Sequence, residues 1–255
     1  MAEMLLAENR AGILTLTLNR PDKRNALHPQ LIGELGDALQ HAAASADSNV
    51  VVLTGAGSVF CAGLDLQYVL GLPVEQRVLE LDKLFAVFHR IYSLPQPVIA
   101  AINGPAVAGG FDLAAFCDLR VCADTARFRQ AEVDLGLTPL IWPIYKTIGL
   151  ARARELAMTC DTIDAQEALR IGLVNHVYTP VDLMPRAMAM AAKMAAKPRE
   201  ALFATKHLSR DLIEMPNAGQ AIDRMYGAIR ERLRSAEHQV ALDRLLKKDE
   251  GGRMK

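Results

Sequence analysis

Residues 98–123 read VIAAINGPAVAGGFDLAAFCDLRVCA, and the order of residue types in this stretch decides the architecture. Val98 to Asn103 is an apolar run of strand length that stops at Gly104-Pro105. Gly109-Gly110 then opens a segment, Phe111 to Cys117, that predicts a short helix, and Leu119 to Ala123 is a further buried strand. Strand, loop, helix, strand predicts an α/β layered domain with crossover connections.

The same theme recurs upstream. Val50 to Thr54 is a buried strand emptying into Gly55-Ala56-Gly57, and Ile13 to Leu18 alternates with period 2, placing Leu14, Leu16 and Leu18 on one face. Between them, a turn at Asn19-Arg20-Pro21-Asp22 precedes a helix with Pro29 in its first turn and Leu31, Leu35, Leu39 and Ala42 at helical spacing. Downstream, Asp164-Ala-Gln-Glu167 fits a capping box, Gly172 ends that helix, and Leu173 to Val177 follows as a strand. The rest is helical, with one stripe at Leu183, Ala187, Met190 and Met194 and another at Ile222, Met225, Tyr226, Ile229 and Leu233, read as core or subunit interface. Pro198 marks the division into a core, 1–197, and a helical C-terminal module, 198–255.

Composition narrows the function classes. The 255 residues are 51% hydrophobic, enough to bury a large core, and Lys+Arg and Asp+Glu both number 29, so no global field draws the chain to nucleic acid or anionic lipid. Cys61, Cys117, Cys122 and Cys160 form no C-x-x-C pair and predict reduced, buried thiols in the cytoplasm. No secretory signal is expected, and the apolar stretch Pro97 to Phe116 is too interrupted by Gly, Pro, Asn and Asp to span a membrane.

Common cofactor motifs fail. After Gly55 and Gly57 the third glycine of a dinucleotide fingerprint would fall at Phe60, no P-loop sequence occurs, and the six histidines lack metal-ligand spacing. Two glycine-bearing loops remain, Phe60-Cys-Ala-Gly-Leu-Asp65 and Ala106-Val-Ala-Gly-Gly-Phe-Asp112, each able to expose backbone N–H groups to a ligand. Asp112 sits on an otherwise apolar helix, where a carboxylate needs a partner or a task, and Glu132 follows the next strand. Ion pairs with Arg120, Arg127 or Arg129 are the plain structural alternative for both acids.

The runs Asn19 to Leu27, Phe60 to Asp65, Ile102 to Leu113 and Asp164 to Val174 resemble, in order, segments of the enoyl-CoA hydratase/isomerase (crotonase) superfamily. The resemblance implies a spiral of β-β-α turns with a helical C-terminal module, and trimers that often pair into hexamers. It implies an oxyanion hole made by the backbone N–H groups of Leu64 and Gly109, which would stabilise negative charge on a thioester oxygen. It places coenzyme A near Arg24, Ala26, Ala62, Asp65 and Leu66, with Lys23 and Arg24 at its phosphates. It implies that Asp112 activates a water and that Glu132 exchanges the α-carbon proton, converting a 2-enoyl-CoA into a 3-hydroxyacyl-CoA without any cofactor beyond the substrate's own CoA.

This sequence departs from the pattern at Asp112, one methylene shorter than the expected glutamate, so double-bond isomerisation through Glu132 is the second reading. A dienoyl-CoA isomerase would carry a further aspartate where this chain has Leu140. Non-catalytic alternatives are a CoA-ester-binding protein and an RNA-binding relative. For the latter the tail Arg230 to Lys255 offers Arg232, Arg234, Arg244, Lys247 and Lys248, offset by Glu231, Glu237, Asp243, Asp249 and Glu250, so no nucleic acid partner is expected. Residues 67–85, with Tyr68, Leu70, Leu72, Leu79, Leu81 and Leu84, are expected to wall the acyl pocket.

Overall fold

A computed structural model describes residues 3–252, with side chains as far as Arg244. The elements run β1 (Leu5–Arg10), β2 (Ile13–Leu18), α1 (Pro29–Ala44), β3 (Val50–Gly55), α2 (Leu66–Leu70), α3 (Val74–Ser93), β4 (Val98–Ile102), β5 (Ala106–Val107), α4 (Gly109–Ala115), β6 (Leu119–Ala123) and β7 (Arg127–Arg129). They continue α5 (Ile144–Ile148), α6 (Leu150–Thr159), β8 (Ile163–Asp164), α7 (Ala165–Arg170), β9 (His176–Tyr178), α8 (Pro180–Ala195), α9 (Arg199–Glu214), α10 (Ala218–Leu233) and α11 (Ala236–Gly252). Two compact units result, Met1–Ala192 and Lys193–Lys255, divided within α8.

In the first unit a large sheet has the order β1-β2-β3-β4-β6-β9, parallel except for the β1–β2 hairpin. Its central strands β3 and β4 are buried at every position, as continuous apolar runs covered on both faces should be. A small sheet has the order β5-β7-β8, and isolated parallel bridges join Leu27 to Leu64 and Cys61 to Ala106. Successive turns thus give one strand to the large sheet, a short extended segment near the small one, and helix in between. This is the expected spiral of β-β-α turns.

Several local choices follow from chemistry. Ala11 and Gly12 both take positive φ in the two-residue loop of the β1–β2 hairpin, which matches the twist of its strands. The Asp164 side chain accepts the Glu167 N–H at 2.8 Å, making the predicted cap of α7. Arg120, 8% exposed, donates to the carbonyls of Cys117 and Leu173 at 2.6 Å and to Ala115 at 3.3 Å. It thereby serves acceptors that the end of α4 leaves unsatisfied.

The second unit is helical. The Glu237 carboxylate accepts the N–H groups of Glu200 and Ala201 at the start of α9, and Arg224 pairs with Asp211 at 2.6 Å between α10 and α9. Arg232 pairs with Glu231 at 3.0 Å, while the side chains of Lys247, Lys248, Asp249 and Glu250, and Lys255 itself, lie outside the described residues. No helix among the described residues is long and apolar enough to cross a membrane.

Candidate active site

The two glycine loops abut. Leu27 donates its N–H to the Gly63 carbonyl at 2.8 Å and accepts the Asp65 N–H at 3.2 Å. That bridge uses the residues flanking Leu64, so strand alternation directs the N–H of Leu64 to the opposite side. Gly109 is the first residue of α4, where an N–H has no intrahelical acceptor. A Cβ built on Gly63 would lie 3.3 Å from the Gly109 nitrogen, so the main chains carrying the two candidate donors are in contact. Between them Ala108 holds φ 49° and ψ −126°, a sparsely populated conformation for a residue with a side chain, with its N–H fixed on the Arg129 carbonyl at 2.9 Å.

Asp112 projects from α4 and is 4% exposed, and Glu132 stands half-buried at the start of the turn Val133–Leu135. Burial pushes the Asp112 carboxyl well above the usual carboxylate range; the nearby Glu132 charge pushes the same way, and the Gln130 side-chain amide opposes both. Glu132 is itself raised by burial, with backbone N–H groups opposing. Both carboxyls are therefore raised and their charges disfavour each other, so the pair titrates as a unit and tends to share one proton.

The ion pairs that would have explained these acids blandly are not made. Arg120 is spent on carbonyls, Arg127 donates to the carbonyl of Ala126, and Arg129 binds the Cys160 carbonyl and the Asp134 carboxylate. Among the described residues neither Asp112 nor Glu132 forms an ion pair, and Glu132 Oε2 is buried with no hydrogen-bond partner.

The segments expected near coenzyme A lie side by side. Lys23 and Arg24 are exposed; Lys23 Nζ reaches Gln67 Oε1 at 3.4 Å, and the Arg24 carbonyl accepts the Ala62 N–H at 3.1 Å. Leu66 is 45% exposed. Ala26 and Asp65 are both held by Arg20, whose guanidinium donates to the Ala26 carbonyl at 2.5 Å and to Asp65 Oδ2 at 3.0 Å. Asp65 also caps α2 by accepting the Tyr68 N–H at 3.3 Å, so its side chain is engaged within the protein. Of the expected acyl wall, Leu84 reaches the glycine loops, 3.4 Å from a Cβ built on Gly109, whereas Tyr68, Leu72 and Leu79 line a cleft of about 480 Å³ with Gln76 and Glu80.

The sequence model of the enoyl-CoA hydratase/isomerase family matches residues 8–239. The chain belongs to that family. A crystal structure of the Bacillus anthracis enoyl-CoA hydratase superposes with a TM-score of 0.93 at 30% identity, covering 96% of this chain and 97% of that one. The crotonyl-CoA hydratase of Syntrophomonas wolfei is 36% identical over 210 residues, 80% of each chain. A 4-chlorobenzoyl coenzyme A dehalogenase of an Arthrobacter species is also 36% identical, over 75% of this chain and 72% of its own. Relatives of equal identity thus carry names of different reactions on CoA thioesters, so the reaction has to be argued from the residues.

Within this family member, sequence reading gave no role to three buried polar groups around the site. Arg20 lay inside a quoted motif without a task. Asn25, fully buried at φ 53°, accepts the Arg20 N–H at 2.9 Å and donates to the carbonyls of Ala56 and Val59 at 2.9 and 2.7 Å. Gln130, 1% exposed, donates to the Leu140 carbonyl at 3.2 Å and leaves its Oε1 buried without a partner beside Asp112. Strand period could have flagged Gln130, because it follows buried Phe128 by two residues and so shares its face. Among the described residues no group of three His, Cys, Asp or Glu could hold a metal ion.

Proposed function

We propose that the chain is an enoyl-CoA hydratase that adds water across the double bond of a 2-enoyl-CoA to give the 3-hydroxyacyl-CoA. The observation that carries this reading is the pair Asp112 and Glu132, near enough for the Glu132 charge to raise Asp112 and free of ion pairs among the described residues, with Asp112 one turn into the helix that Gly109 opens. Hydration needs one group to take a proton from water and one to give a proton to the α-carbon, and a singly protonated pair supplies both.

On this reading the thioester oxygen sits at the N–H groups of Leu64 and Gly109, which stabilise its charge as the α-carbon becomes enolate-like. Lys23, Arg24, Ala26, Ala62, Asp65 and Leu66 form the CoA side, with Asp65 contributing main chain. No cofactor is required, because polarisation is done by backbone N–H groups and CoA arrives with the substrate. Asp112 activates the water and Glu132 protonates the α-carbon. An acyl chain that covers half-exposed Glu132 strips its water and raises it further, which favours the shared proton on Glu132, where protonation of the α-carbon needs it.

Incubation with crotonyl-CoA tests this directly, since hydration abolishes the enoyl thioester absorbance. No loss with short or long 2-enoyl-CoAs, together with conversion of a 3-enoyl-CoA to the 2-enoyl isomer, would replace hydration by isomerisation through Glu132. That second reading is favoured by one feature, the shorter acid at position 112, because a 1 Å error in a reacting group costs on the order of 100-fold in rate. We also propose a homotrimer or a hexamer of paired trimers. Exposed apolar side chains on α10, Ile222, Tyr226, Ile229 and Leu233, support assembly, and sedimentation velocity measures it.

A further inference from the structure

The turn that presents Lys23 and Arg24 is joined to the loop of Leu64 by backbone hydrogen bonds and by the side chain of Arg20. Arg20 and Asp65 are 11% and 13% exposed at the side chain, so their 3.0 Å pair is shielded from solvent. Burial works to raise the Asp65 carboxyl, but the Arg20 hydrogen bond and charge, with the Tyr68 N–H bond, hold it below the usual carboxylate range. The same guanidinium holds the Ala26 carbonyl at 2.5 Å, and the Arg20 N–H is held by fully buried Asn25. Ala26 and Asp65 each flank one member of the Leu27–Leu64 bridge. One planar fork therefore grips both strands of that bridge, a geometry an ammonium cannot reproduce.

We propose that Arg20 is a positioning residue for the thioester-polarising N–H of Leu64, acting by clamping Asp65 to Ala26 and so fixing the loop of Leu64 against Leu27. Asp65, on this account, serves the reaction as the clamp's other jaw and touches coenzyme A through its backbone alone. The inference rests on the reading of Leu64 as an oxyanion donor.

Three variants test it: Arg20→Met, Arg20→Lys and Asp65→Asn, the last keeping an oxygen for the Tyr68 N–H. Each is assayed with a 2-enoyl-CoA and with the same acyl group on pantetheine, which lacks the nucleotide. In parallel, the absorption maximum of a bound 2,4-dienoyl-CoA reports how strongly the carbonyl is polarised, whether or not turnover occurs. Loss of position should lower kcat for Arg20→Met about 10- to 100-fold on both thioesters, leave KM nearly unchanged, and abolish the red shift of the bound dienoyl group. Arg20→Lys and Asp65→Asn should fall between this variant and the parent in both readouts, and either one carries the test if Arg20→Met does not fold.

An increase in KM confined to the CoA ester would make Arg20 a nucleotide ligand and overturn the proposal. An unchanged kcat with an unchanged red shift would overturn it as well. A parent protein that shifts the chromophore in an Arg20-dependent way, yet hydrates nothing, would sink the hydratase reading and leave the clamp standing. A parent that does neither sinks both.

Discussion

On the proposed mechanism Asp112 carries opposite consequences for activity and for stability. In the unfolded chain it ionises near the ordinary 3.8, whereas burial and the Glu132 charge keep it protonated to higher pH in the fold. Folded Asp112 therefore contributes its full stability below the ordinary value and loses it as pH rises through the raised value. At neutral pH Asp112→Asn should relieve that penalty, raising Tm by roughly 2–4 °C per kcal/mol recovered, while lowering kcat/KM about 100- to 10,000-fold. Glu132→Gln should cost as much activity; a variant of either acid that retains near-parental turnover would remove the pair from the mechanism. The profile of kcat/KM against pH should be bell-shaped, its two limbs belonging to the Asp112–Glu132 pair as a unit and displaced above the ordinary carboxylate range, since both acids are raised. A profile flat from pH 5 to 9 would exclude the shared proton. Asp112 stood out in the sequence because a carboxylate amid Phe111, Leu113 and Ala114 is conspicuous, and Glu132 because it follows the next strand. Arg20 and Asn25 were not, since polar residues in a polar turn look solvated until long-range partners at Ala56, Val59 and Asp65 are known.

At the scale of elements, the sequence resolved what periodicity or a cap specifies. Strand β2, helix α1 with Pro29 in its first turn, and the capped α7 lie where residue pattern puts them. Helix α4 begins two residues earlier than Phe111, because Gly109 and Gly110 are themselves helical, and β9 is displaced from Leu173–Val177 to His176–Tyr178. The small sheet was illegible: β5, β7 and β8 have two, three and two residues, too few for a period, and are defined by partners distant in sequence. Strand β1 was missed because only Leu5 is buried and no alternation shows. Glycines separate two kinds of helical position. A Cβ at Gly110 would lie 2.2 Å from the Cys61 carbonyl oxygen, whereas one at Gly33, exposed inside α1, meets nothing within 4 Å. Gly110→Ala should destabilise by roughly 2–4 kcal/mol, because only backbone movement relieves the clash. Gly33→Ala should stabilise by about 1 kcal/mol through helix propensity. Denaturant midpoints measured side by side check the pair, and changes of the same sign would contradict the packing.

The whole molecule is read best through its thiols. The four cysteines were expected to be reduced and buried, and all four are free and buried in the structure. Cys61, Cys117 and Cys122 belong to one contiguous core that includes Leu16, Leu53, Phe60, Ile102 and Phe128, contributed by strands and helices from across the first unit. Burial pushes the thiols of Cys61 and Cys122 up to about 12, so neither contact with reagent nor a thiolate is available in the folded state. Local fraying cannot reach residues placed in separate turns of the spiral; only an opening that dismantles the shared core can. A disulfide-exchange reagent at pH 8 should therefore leave Cys61, Cys117 and Cys122 unmodified in the native protein. As urea is added, the three should react with one common rate that follows global unfolding, each identified by peptide mass. Cys160, which lies outside that core cluster at the positive-φ end of α6, should react earlier. Prompt labelling of Cys61 alone would mean that the loop carrying Leu64 opens independently, and the geometry on which the proposed thioester polarisation depends would then not be held by the core.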